Sequence, residues 1–166
     1  MSISIRPALA SDEDFLWVML YYAAQMDKDR AASIYAAKDD PYLARYVSAW
    51  GQPTDLGVVG CENETPVGAV WSRLLIGEHK TYGYVDDHTP ELAAAVLPEY
   101  IGTGIGTTLL DAYLERASRL FPAVTLNVRA DNPAVRLYQR VGFNIIGEIV
   151  NRVGTRSYTM LITFRK

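Results

Sequence analysis

A single cysteine, Cys61, in 166 residues excludes an internal disulfide and offers no cysteine cluster for a metal. Histidine is equally scarce: His79 and His88 are too few and too separated to read as a metal site, so no metal is expected. Excess charge of either sign is missing as well. Sixteen Lys and Arg stand against nineteen Asp and Glu, a net charge of −3 with a pI near 5.4. Such a chain lacks a general basic footprint, so nucleic acid is not an expected partner. No apolar run reaches the length of a membrane span, and the N-terminus lacks a basic-then-apolar leader pattern. The expectation is a cytoplasmic protein with no membrane partner. Repeats, low-complexity stretches and long linkers are absent too. With 49% apolar residues, the chain is expected to fold as one compact domain, 1–166, with a full core.

What the chain does have is concentrated in residues 96–110. An apolar strand runs into Gly102, Gly104 and Gly106, three glycines at every second position, and a helix begins without a gap. Alternating glycines strip side chains from a tight turn, so successive backbone N–H groups can point at one spot. The first N–H groups of the helix lack intrahelical partners, and the helix dipole adds partial positive charge there. The result is a seat for a phosphate or pyrophosphate. Two nucleotide motifs are set aside by the residues present. A P-loop needs Gly-Lys-Ser/Thr, and here Thr107 and Thr108 follow Gly106. The dinucleotide fingerprint needs a third glycine where Thr107 stands, and an earlier place in the chain.

The flanking patterns supply the scaffold. Ile105, Leu109, Tyr113, Leu114, Ala117 and Leu120 recur at helical spacing, and Pro122 stops that helix. Val124, Leu126 and Val128 alternate as a strand. Asn132 is an expected N-cap and Pro133 a first helical residue, with Gly142 closing the short helix and Phe143–Val150 returning as a strand. Earlier, Ser2–Pro7 predicts a strand, and Ser11 an N-cap for a helix through Ala23. Asp39-Asp40-Pro41 opens a second helix through Trp50, ended by Gly51. Leu56–Glu62 and Val67–Leu75 form a hairpin across residues 63–66, and Leu92–Leu97 is the next strand. The order β-α-α-β-β-β-α-β-α-β-β predicts a mixed α/β sheet. The glycine-started helix joins a central parallel pair within it.

Two stretches together resemble the GNAT superfamily of acyl-CoA-dependent N-acyltransferases. Its coenzyme-binding stretch reads roughly Val-x-Pro-Glu-Tyr-Arg-Gly-x-Gly-Ile-Gly-x-x-Leu-Leu, and residues 96–110 follow it closely. Its next stretch, Asn-x-x-Ala-x-x-Leu-Tyr-x-x-x-Gly-Phe, is matched by Asn132, Ala134, Leu137, Tyr138, Gly142 and Phe143. The resemblance is strong from about 85 to 147 and looser before that. It implies an α/β (α+β) fold with a mixed, mostly antiparallel sheet, a central parallel strand pair and helices on both faces. It also implies acetyl-CoA as co-substrate, bound by Val96, Leu97, Ile101, Gly102, Thr103, Gly104, Ile105, Gly106, Thr107 and Asn132. The chain departs from the family at Ile101, where Arg or Gln is usual. The seat keeps its N–H groups but loses the electrostatic help of a guanidinium.

By the same resemblance the acyl carbonyl lies against the strand of Ala94–Leu97, whose N–H groups would act as an oxyanion-type site. Tyr138 corresponds to the acid that protonates the departing thiolate. Glu91, at the head of that strand, is the candidate base, with Asp86, Asp87 and Glu99 as competitors. The acceptor is expected to be a small primary amine, received by a region rich in Trp17, Tyr21, Tyr22, Tyr35, Tyr42, Tyr46 and Trp50 with Asp27, Asp39 and Asp40. The competing reading puts most of those aromatics in the core and those acids at helix ends. A second function class stays open, a non-catalytic acyl-CoA-binding sensor or partner module. A homodimer is also left open.

Overall fold

The computed structural model describes residues 2–28 and 33–164. Seven strands are named here in chain order: β1 (Ile3–Pro7), β2 (Leu56–Glu62), β3 (Thr65–Arg73), β4 (Glu91–Val96), β5 (Ala123–Arg129), β6 (Asn144–Val150) and β7 (Arg156–Thr163). The helices are α1 (Glu13–Ala23), α2 (Pro41–Ala44), α3 (Ile105–Ser118) and α4 (Ala134–Val141). Strand order is β1-β2-β3-β4-β5-β7-β6, mostly antiparallel, with β4 and β5 parallel. The fold is therefore mixed α/β, helices flanking a mostly antiparallel sheet with one parallel pair, as the sequence predicts.

The chain divides into two compact units. The first joins Met1–Arg73 to Ala93–Tyr113; the second joins Leu74–Leu92 to Leu114–Lys166.

In the first unit β2 and β3 form a hairpin whose loop is tighter than expected. Asn63 (φ 48°) and Glu64 (φ 70°) are both left-handed, so two residues turn the chain and β3 starts at Thr65. Paired positive φ values match the twist of the flanking strands. Past the turn the register slips between Gly60 and Cys61, leaving Val67 as the extra residue on β3. Gly60 and Gly68 admit α3 closely: a Cβ would lie 3.1 Å from Leu109 at Gly60, and 2.9 Å at Gly68. Leu16, Met19, Val58, Val59, Trp71, Leu109 and Tyr113 fill this core, and the Tyr113 hydroxyl donates to Ser72 at 2.6 Å.

Two local expectations are corrected here. Ser11 does not cap α1, because Ala10–Asp12 already winds as a 3-10 turn. Asp12 is the residue committed, accepting from the Leu9 N–H at 2.7 Å and from both Arg6 Nη atoms at 2.7 and 2.8 Å. The second helix stops at Ala44 rather than Trp50. Asp40 caps it as expected, accepting from the Tyr42 N–H at 2.9 Å. Beyond Ala44 the buried Arg73 guanidinium donates to the carbonyls of Arg45, Ser48 and Ala49, while Asp55 accepts from its Nε and Nη2. Carbonyls bonded to a guanidinium are not waiting for N–H groups of a next helical turn, so the chain runs on in turns.

In the second unit β5 pairs with β7, and β7 with β6. Val124, Leu126, Phe143 and Met160 are fully buried. Helix α4 ends at Gly142 (φ 117°), the left-handed position predicted. Leu120, expected on the buried face of α3, lies past the helix end and is 64% exposed.

Candidate active site

The glycine turn belongs wholly to the first unit. Leu97 donates its N–H to the carbonyl of Val67, the bulged residue of β3, at 2.8 Å. That N–H is consequently spent and drops out of the expected oxyanion donors. Pro98–Tyr100 forms a 3-10 turn, with the Tyr100 N–H on Leu97 O and the Thr103 N–H on Tyr100 O. Gly102 (φ 81°) and Gly104 (φ 89°) are left-handed, and a Cβ on either would meet nothing within 4 Å. The turn is therefore open on its glycine faces. The first helical bond of α3 runs from the Thr108 N–H to Gly104 O at 3.2 Å, doubled by the Thr108 hydroxyl at 3.1 Å. The N–H groups of Ile105, Gly106 and Thr107 precede it and have no helical carbonyl ahead of them.

An anion placed there meets N–H dipoles and the positive end of a fourteen-residue helix. It meets no side-chain cation from this stretch, because residues 97–107 contain neither Lys nor Arg. Ile101, at the position where a guanidinium is usual, is 71% exposed. Ile105 is buried and anchors the helix start, while Val96 and Leu97 are half-buried. The expected seat residues, from Val96 to Thr107, thus lie on one continuous and open stretch whose chemistry fits a pyrophosphate.

The remaining predicted residues belong to the second unit. Asn132 caps α4: its Oδ1 accepts from the Ala134 N–H at 2.9 Å. Pro133 already has helical angles (φ −56°, ψ −23°), one residue before the assigned start. Tyr138 is buried on α4 and meets Phe143 edge-on, ring centres 5.9 Å apart. Burial alone pushes its phenol up to about 12. The group therefore stays protonated across the physiological range, the state a proton donor needs.

Glu91 sits where predicted, at the head of β4, opposite Thr125 in the parallel pair of β4 and β5. It is only 3% exposed. Its Oε1 accepts from the Thr81 hydroxyl and from the Gly83 N–H at 3.0 Å. Thr125 in turn donates to Gly83 O at 2.7 Å, and Thr159 to Tyr82 O at 3.3 Å. Glu91 is thereby part of a buried polar anchor for residues 81–83. Its competitors stitch the same connection: Asp86 accepts from the His88 N–H, and Asp87 from the Tyr84 hydroxyl. Glu99 is exposed.

In the region expected to receive the acceptor, Trp17, Tyr46 and Trp50 are core residues, 4–8% exposed. Tyr35 is exposed, with Lys38 Nζ 5.1 Å from its ring centre. Asp27 and Asp39 are exposed, and Asp40 is the α2 cap. Among the described residues no group of three or more His, Cys, Asp and Glu gathers as a metal site, and no helix is long and apolar enough to cross a membrane.

Sequence reasoning missed two sets of residues. Thr81, Gly83, Thr125 and Thr159 carry no motif. The bond from the Tyr100 hydroxyl to Glu62 Oε1, 2.7 Å, joins positions 38 apart in the chain and has no local signature.

A glycine turn feeding a helix at the end of a parallel strand, in a mostly antiparallel sheet, defines an acyl-CoA-type transferase scaffold. The chain matches the model of the Acetyltransferase (GNAT) family over residues 11–143, and it belongs to that family of acyl-CoA N-acetyltransferases. Its fold is similar to that of Salmonella typhimurium yncA, solved with its cofactor acetyl-CoA: TM-score 0.73, 19% identity, covering 100% of this chain and 96% of that one. It is also similar to the ribosomal-protein-alanine N-acetyltransferase of Brucella melitensis (TM-score 0.69, 19% identity, 97% and 99% covered). A third likeness is to mutant forms of a spermidine/spermine N-acetyltransferase from Vibrio cholerae (0.65, 18%, 98% and 95%). No curated protein sequence matches the chain.

Proposed function

We propose that this chain, acting as one catalytic domain, transfers an acetyl group from acetyl-CoA to the primary amine of a small molecule within a ternary complex. The observation that carries the reading is the open turn Gly102–Thr107, with two left-handed glycines and three N–H groups ahead of the first helical bond. In this reading Val96, Leu97, Ile101–Thr107 and Asn132 hold the coenzyme, whose thioester supplies an activated acyl carbon. The neutral amine adds its lone pair to that carbon, and the C–S bond then breaks. Tyr138 gives its proton to the departing sulfur; the amine loses a proton to Glu91, directly or through water, and that proton finally returns through solvent to the Tyr138 phenolate. The products are an amide and a free thiol. A pKa near 12 makes Tyr138 a weak acid, but one matched to an alkyl thiolate only in a dry site, where the thiolate is also poorly solvated.

Similarity to a spermidine/spermine enzyme favours a small polyamine-like or amino acceptor, and the exposed Asp27 and Asp39 supply charge of the right sign. Similarity to a ribosomal-protein enzyme makes a protein N-terminus the rival acceptor. An amine panel with acetyl-CoA, read by thiol release and by mass of the product, separates them. Acetylation of small amines supports the proposal; acetylation of ribosomal peptides alone refutes it. Gly104→Glu places a carboxylate in the seat, and a folded variant with unchanged coenzyme affinity would remove the seat from that turn.

A further inference from the structure

The seat has an unusual physical requirement. Backbone dipoles attract an anion strongly only when they are already aimed at it, because aiming them on binding costs conformational entropy. Yet Ile101, Gly102, Thr103 and Gly104 are all exposed, and nothing packs against the two left-handed glycines. Side-chain packing is therefore not what holds the turn, and residues 97–107 carry no guanidinium of their own.

Hydrogen bonds converge instead on Tyr100. Its carbonyl accepts from the Thr103 N–H at 3.3 Å and from the Thr103 hydroxyl at 2.5 Å; its N–H donates to Leu97 O at 2.9 Å. Its hydroxyl leaves the turn and donates to Glu62 Oε1, at the end of β2, at 2.7 Å. A hydrogen bond to a carboxylate is among the stronger neutral-donor kinds. The bond also holds the phenol above its ordinary value, so the donor proton stays in place at neutral pH.

We propose that Tyr100 and Glu62 are a positioning pair that pre-sets the glycine turn for the coenzyme pyrophosphate. This rests on the assignment of the seat made above. The pair touches no reacting atom, so it acts on coenzyme binding and not on the chemical step. Losing one hydrogen bond to a charged group is worth roughly tenfold or more when its full strength reaches the site.

The test measures coenzyme A binding by calorimetry, with kinetics at saturating acceptor, for Tyr100→Phe, Glu62→Ala, Glu62→Gln and the Phe/Ala double variant. Tyr100→Phe and Glu62→Ala should each weaken binding and raise the acetyl-CoA KM by about tenfold, with kcat little changed. The double variant should be no worse than either single one, since one bond is lost in each case. Glu62→Gln keeps an acceptor oxygen and should recover most of the affinity. Folded Tyr100→Phe or Glu62→Ala protein with parental affinity overturns the pairing. So do single effects that multiply in the double variant, and so does a fall in kcat with KM unchanged. Should Tyr100→Phe misfold, the Glu62 variants decide alone. Failure of the parent to bind coenzyme A would refute the seat itself, a separate result.

Discussion

Replacing Tyr138 by Phe removes one oxygen atom from a buried ring and little else. The edge-on contact with Phe143 survives, because both partners keep their rings. Burial is what raises the phenol. Stability should accordingly change by less than about 1 kcal/mol, since the ring and its packing remain. Coenzyme affinity should also hold. Turnover should fall by roughly 10²- to 10⁴-fold, the usual range for a general acid. That range corresponds to about 3–5 kcal/mol of transition-state stabilisation. The assay is thiol release under saturating acetyl-CoA and acceptor, with a pre-steady-state check that chemistry limits the rate. A pH arm adds a sign. A phenol held near 12 is raised above its unfolded value near 10. Its contribution to stability is full below pH 10 and is lost as pH rises through 12. Tyr138→Phe should lose this alkaline weakening, and parental kcat should show no descending limb from this group below about pH 11. An unaltered rate with chemistry limiting reduces Tyr138 to a packing residue. A marked drop in melting temperature would show that the hydroxyl itself supports the fold.

Three further outcomes are expected. Asp55→Ala leaves the Arg73 guanidinium buried without its carboxylate and should cost about 3–5 kcal/mol in chemical denaturation, because an unpaired buried charge is the expensive case. Gly68→Ala drives a methyl to within 2.8 Å of Val96 and 2.9 Å of Leu109, and should cost about 1–3 kcal/mol by the same measurement. Arg6 hydrogen-bonds Asp12 and lowers its carboxyl. That contribution is full above the ordinary value near 3.9 and is lost as pH falls through the depressed folded value. Arg6→Met should therefore cost about 1 kcal/mol or less at pH 7, the pair being partly open to water, and the gap to the parent should close as pH falls below that depressed value.

The parts of the molecule legible in its sequence are those governed by local rules. Gly142 announces the end of α4 because only a left-handed residue suits that position, and Asn132 announces its start because its side chain reaches two residues on. The alternating glycines announce an open turn, because no side chain stands on them. Where the structure departs from the local pattern, distant groups intervene. Nothing near Ala44 says that a guanidinium from β3 will take the next carbonyls and stop the helix. Nothing near Ser11 says that Asp12 will be claimed by Arg6. The site divides in the same way. The glycine turn is a local motif and legible, whereas Glu91 stands out only by its place at a strand head, and its bonds to Thr81 and Gly83 come from a connection with no periodic pattern.

The closeness of Gly83 to Glu91 has a consequence for the history of this chain. A Cβ at position 83 would sit 2.5 Å from the Glu91 carboxyl carbon, a separation real side chains do not tolerate. The two positions are therefore not free to drift separately. A relative that carries alanine or serine at the first should carry a shorter side chain at the second, and a relative that keeps the glutamate should keep the glycine. Pairwise substitution statistics across an alignment of such relatives would register the pair as coupled, and a lineage could cross from one combination to the other only by shortening position 91 first.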